Sequence, residues 1–251
     1  MKLNSKKVLL YLYPIAGESR RVSYDQLKLF LLDLTEAGRQ SLIRLLVEKQ
    51  LIFSDELTGE QRLTISSHGQ AQLELDFPSL KVDSDREQGQ WSMLLFLSAP
   101  KIDKNFRYLR TLVLKNRCLA LKRGVYLYPG KLPNAIRQTL QKTYRSAVMV
   151  VQFDQWQFGD ENIIIGQKAN FKDTISIYSG IGEELESLLT KLPNYKSLSN
   201  QQKQQINSIY DRLISVLEND IGLLPNYFPQ APDGVELLNQ FKQGVDLTFN
   251  F

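Results

Sequence analysis

Between residues 91 and 153 the chain alternates apolar runs with amphipathic ones in a fixed order. "WSMLLFLS" reads as a buried strand, and "DKNFRYLRTLVLKNR" as a helix with Phe106, Leu109 and Val113 inward. "LALKRGVYLYP" gives two strand-like pieces around Gly124, "LPNAIRQTLQKTY" a second helix and "SAVMVVQF" a fourth strand. Strand, helix, strand, strand, helix, strand is the ferredoxin-like βαββαβ order.

Charge marks off the same region. Residues 86–170 carry 14 Lys and Arg against 5 Asp and Glu, whereas residues 1–85 carry 11 against 12 and residues 171–251 carry 6 against 10. A basic segment between a neutral and an acidic one predicts three units, 1–85, 86–170 and 171–251, with the middle one facing phosphate or an acidic neighbour. Lys101, Lys104, Arg107 and Arg110 recur every three residues, with Lys115, Arg117, Lys122 and Arg123 beyond them. They are candidate phosphate contacts.

The first unit reads as three short helices and a hairpin. Val8, Leu9 and Leu12 follow a Ser5 cap and precede Pro14; Ser23 and Gln26 have capping-box spacing; a third helix starts near Asp33 or Thr35. The spacing predicts Leu42, Leu45 and Leu46 inward, with Gln40 and Arg44 outward, flanked by Ser41, Ile43 and Val47. "LIFSDELTGEQRLTIS" then alternates and turns at Thr58-Gly59. This is the order of a winged helix-turn-helix, in which the third helix enters a major groove; Arg suits guanine there and Gln suits adenine.

The last unit is helical. "IGEELESLLTKL" and "SNQQKQQINSIYDRLISVLEND" are two helices, the second with Ile206, Ile209, Tyr210, Leu213 and Val216 on one face, and an amphipathic helix closes the chain. Fold class is therefore α+β: an N-terminal winged helix-turn-helix, a central ferredoxin-like domain and a C-terminal helical domain.

One cysteine, Cys118, and one histidine, His68, leave no zinc cluster, no His-based triad and no disulfide framework. Cys118 beside Leu119 reads as a packed residue. No apolar run reaches the length of a membrane span, and the N-terminal stretch lacks a cleavage pattern, so a cytoplasmic protein is expected.

"RQSLIRLLVEKQLI" with "RLTISSHGQAQL", "QGQWSMLLFLSAP" with "FRYLRTLVLKNRCLALKRGVYLYP", and "LPNYFPQAPDGVELLNQF" together resemble the PaaX-like family of bacterial transcriptional repressors over nearly the full length. Ala231 stands where that family has its closing tryptophan, and Phe228 where it has a leucine. The resemblance implies a homodimeric repressor on palindromic double-stranded DNA, released by a small-molecule effector that is an acyl-coenzyme A thioester in the namesake branch. It carries DNA reading to Arg39, Gln40, Ser41 and Arg44, and a backbone role to Gln61 and Arg62. No cofactor, metal or enzyme activity is implied.

The middle unit also resembles the small CRISPR-adaptation protein, some members of which are metal-dependent nucleases with an aspartate ending the first strand. Ser98 and Ala99 hold those positions here, and Asp103 falls at the helix start, so a scaffold for dimerisation and phosphate contact is expected. A nucleic-acid-processing protein and a protein-interaction module are the alternatives to a DNA-binding regulator.

Overall fold

The computed structural model describes residues 1–57, 60–80, 90–97, 104–157, 159–190 and 197–249. The chain is α+β, 58% helical, with two antiparallel sheets that belong to different compact units. One unit is residues 82–172. The other joins residues 1–81 to residues 173–251, so the expected first and third units share one body.

The reason is α1 (Leu3–Leu12), in which Lys7, Val8, Leu9, Leu10, Tyr11 and Leu12 are all buried. A helix apolar on every side needs partners on every side. It finds them in both the N-terminal and the C-terminal segments. Ser5 lies inside this helix; the cap position is Lys2, with no side-chain bond.

β1 (Val22–Ser23) leads into α2 (Tyr24–Lys28), where Ser23 and Gln26 form the expected reciprocal box. α3 (Glu36–Glu48), β2 (Ile52–Leu57), β3 (Glu60–Ile65) and α4 (Ser67–Asp76) follow, and the strands lie in the order β1-β3-β2. Leu57 pairs with Glu60 across the turn, whose residues 58–59 lie outside the described set.

In residues 82–172, β4 (Trp91–Phe96), α5 (Lys104–Lys115), β5 (Leu119–Lys122), β6 (Val125–Pro129), α6 (Asn134–Thr143) and β7 (Val148–Phe153) come in the order read from the sequence, followed by α7 (Glu161–Lys168). The sheet runs β5-β6-β4-β7, each neighbouring pair antiparallel. Phe106, Leu109 and Val113 of α5 are buried as expected; Leu109 and Val113 pack with Leu94, Tyr126, Ile136 and Cys118, and Phe106 meets Phe96 edge-on at 5.2 Å.

α8 (Phe171–Leu189), α9 (Asn200–Asn219), α10 (Leu224–Tyr227) and α11 (Gly234–Phe249) complete the chain. The predicted face of α9 is buried, and Tyr210 stacks on Phe241 of α11 at 5.0 Å. Phe30 approaches Tyr210 at 4.8 Å and Tyr11 at 4.4 Å, which closes an aromatic cluster drawn from both ends of the sequence. Among the described residues no helix is long and apolar enough to cross a membrane.

Candidate nucleic-acid interface

α3 starts where the sequence indicates. The Thr35 hydroxyl accepts the Gly38 N–H at 3.2 Å. Past its last residue, Glu48, Gln50 adopts a left-handed φ of 56° while its N–H reaches Val47 O and that of Leu51 reaches Leu46 O. Both ends are therefore pinned.

The helix is rotated from the expected phase. Ile43 (2% exposed) and Leu46 are buried, and Leu45 is 41% exposed. Five of the six residues from Leu42 to Val47 are apolar, so a face through Leu42, Leu45 and Leu46 and one through Ile43 and Leu46 both satisfy helical spacing. Tertiary packing selects the second.

That rotation sorts the expected DNA-reading residues. Ser41 and Arg44 are exposed to solvent. Arg39 is half-buried, its Nε donating to Leu31 O at 2.9 Å and a terminal nitrogen to Glu36 Oε2 at 3.2 Å. Gln40 hydrogen-bonds toward Tyr24 and Glu36, and the Tyr24 hydroxyl donates to Glu36 Oε1 at 2.9 Å. Burial first, then the Glu36 bond, pushes Tyr24 up to about 12; the bond from Tyr24 leads the causes that lower Glu36. Arg39 and Gln40 brace the first turn of α3 against the preceding segment. Of the four helix residues expected to read DNA, Ser41 and Arg44 are the ones left at the surface.

Gln61 and Arg62 are adjacent on β3 and so point to opposite faces of the hairpin. Gln61 Nε2 donates to Ser54 Oγ at 2.9 Å, and Arg62 pairs with Glu60 at 2.7 Å on the face that also holds Asp55. Residues 36–65 carry four basic and five acidic side chains. This surface alone supplies little phosphate attraction.

On α5, Lys104, Arg107 and Arg110 are all exposed, and Arg110 hydrogen-bonds to Tyr126. A three-residue repeat slips about 60° per step around a helix, so the stripe winds toward the sheet instead of running straight. Arg123 lies over the Phe106 ring at 5.5 Å. Lys101, Ser98, Ala99 and Asp103 lie outside the described residues.

Sequence patterning did not single out Phe53. Phe53 on β2 is 62% exposed and shares a hairpin face with Asp55 and Arg62. Its signal was there: strict alternation puts Phe53 opposite in phase to buried Ile52.

No family model and no curated protein matches the chain. A solved structure, the uncharacterized protein Rv0674 from Mycobacterium tuberculosis, is similar at a TM-score of 0.52 and 16% identity, covering 96% of this chain and 93% of that one. At this identity the likeness is one of fold.

Proposed function

We propose that the chain is a sequence-specific DNA-binding regulator, with residues 1–80 as a winged helix, α3 as its reading helix, β2 and β3 as its wing and residues 90–153 as a ferredoxin-like scaffold. The observation that carries this reading is α3 itself: capped at both ends, anchored by Ile43 and Leu46, followed at once by a hairpin, and presenting Ser41 and Arg44 outward. An Arg at such a place can bond guanine O6 and N7 together, worth about 1–3 kcal/mol of discrimination. Because residues 36–65 are not net basic, affinity rests on a dimer or on the cations of α5 and its neighbours. Regulation by an effector and repression of a palindromic operator belong to the same proposal, on the strength of the PaaX-like resemblance.

The test is fluorescence anisotropy of the purified protein against its own upstream intergenic DNA and a scrambled fragment, at two salt concentrations. The expected result is preference for the native fragment, weaker at higher salt and lost in Arg44→Ala.

A second reading is favoured by Leu45, Val47 and Phe53, which expose apolar surface on α3 and β2. On that reading the same face docks a protein. Arg44→Ala is then silent toward DNA, and Phe53→Asp abolishes capture of the partner.

A further inference from the structure

Residues 82–172 contain an open cleft of about 390 Å³, near the small end of the range for ligand pockets, roughly 300–1,000 Å³. One wall is α6, where Arg137, Leu140 and Gln141 fall at i, i+3 and i+4 on a single helix face. The opposite wall is β7, an edge strand whose alternate residues Val150 and Gln152 point the same way. Ser92 on β4 pairs with Gln152 and forms the floor; it is fully buried, and its hydroxyl donates to Gly130 O at 2.7 Å. The small serine on the central strand leaves the gap that a larger residue would fill. Lys131 and Leu132 close one end.

The lining has one chemical bias. Among the described residues it holds two cations and two amides, with no carboxylate, around an apolar strip of Leu132, Leu140 and Val150. α6 also begins beside the cleft without a side-chain cap, which adds the positive end of its dipole to the field. Arg137 is exposed at the cleft, and among the described residues its guanidinium makes no ion pair.

We infer that this cleft binds a small organic anion, an oxyanion carried on a compact apolar body, with Arg137 holding the oxyanion and Leu140 and Val150 flanking the body. A concave site of this volume suits a fragment-sized molecule and not a duplex backbone, whose phosphates need a surface to track. The cleft is lined by residues of 82–172 alone, so the inference does not depend on the DNA-binding proposal.

Isothermal titration of the full chain with benzoate, phenyl phosphate, benzyl alcohol and inorganic phosphate tests it. Benzoate or phenyl phosphate should bind saturably, about tenfold tighter than the neutral alcohol, the size of one charge-assisted hydrogen bond. Which of the two binds tighter distinguishes a carboxylate site from a phosphate-ester site. Arg137→Gln should weaken binding by about tenfold on the same ground. Val150→Trp, at an exposed strand position, should block the cleft, and Lys142→Gln on the same helix but outside the lining should change nothing. Equal binding of acid and alcohol overturns the oxyanion. Inorganic phosphate matching the aromatic probes overturns the apolar body. Binding untouched by both Arg137→Gln and Val150→Trp, or displacement of benzoate by duplex DNA at constant ionic strength, overturns the site.

Discussion

Arg20 holds the Asp246 carboxylate at 2.5 Å across 226 residues of sequence, and on the same carboxylate converge the Tyr11 hydroxyl at 2.6 Å and the Gln26 amide at 3.1 Å. Asp246 belongs to α11 and the other three to the first 26 residues. Lys7 adds an ion pair to Asp211 at 2.7 Å, Lys6 one to Glu218 at 2.6 Å, and the Tyr210 hydroxyl donates to Lys7 O at 2.8 Å. The two ends of the chain are one folding body.

Removing one partner of the Arg20–Asp246 pair leaves the other charge largely out of water. Asp246→Ala should therefore lower the unfolding free energy by about 3 kcal/mol, near the lower end for breaking a buried pair because Asp246 retains some solvent contact. Urea denaturation measures it; a loss under 1 kcal/mol, the scale of an exposed pair, contradicts this placement. The same contacts mean that deleting residues 1–85 or 171–251 strips the partners of α1, so point substitutions, not truncations, are the proper tests of function.

How much of this was legible in the sequence depends on range. The elements of residues 91–153 were readable because each is set by local periodicity, and the cap at Thr35 and the box at Ser23 because they act over three residues. α7 was not read: "ENIIIGQK" has three consecutive isoleucines, of which only Ile165 is fully buried, so no helical period stands out. The union of the chain ends depends on contacts some 200 residues apart. Its one local trace was "VLLYL" in α1, wider than a single helix face. At the candidate interface, the exposure of Arg44 and Ser41 was legible although the inward face was not, whereas Arg39 and Gln40 turn on Tyr24 and Glu36, whose positions no spacing rule supplies.

Lys242 is fully buried, its amine donating to Tyr13 O at 2.9 Å. Burial, with Arg20 adding to it and Asp246 opposing, pushes its pKa well below the ordinary lysine value. Between that lowered folded pKa and the ordinary lysine value of 10.5 the unfolded chain binds more protons than the folded one, so stability rises with pH across that window. The slope from one such proton is about 1.4 kcal/mol per pH unit. Lys242→Met should flatten the stability profile on the approach to pH 10.5 by up to that amount per pH unit. Parallel profiles for the two proteins would show that the lysine stays charged.

Cys118 sits in the core of residues 82–172 against Leu94 and Val113, and burial pushes its thiol from 9.0 up to about 12. A thiol that stays protonated is a poor nucleophile. Native protein at pH 8 should leave Ellman's reagent unreacted and release one equivalent of thiolate on denaturation. Since the folded pKa is raised, the thiol's contribution to stability is intact below about 9 and is lost as pH climbs toward about 12. Rapid labelling of the folded protein at pH 8 would place Cys118 outside the core.

Two glycine-to-alanine changes should act with opposite sign. A Cβ on Gly69 would lie 2.1 Å from Leu51 O, the carbonyl that already accepts the Ser66 N–H at 3.0 Å, so α4 cannot keep its seat against the end of α3. This explains the glycine in "RLTISSHGQAQL": it is demanded by backbone approach, not by a turn. Gly69→Ala should cost about 2–3 kcal/mol, the scale of overpacking a tight site. Gly180, in the interior of α8, meets nothing within 4 Å. Gly180→Ala should stabilise by about 0.5–1 kcal/mol, because the helix no longer bears glycine's extra backbone entropy. Thermal melts of the two variants beside the parent protein decide the matter: shifts in the same direction would contradict either the close approach at Leu51 or the open face of α8.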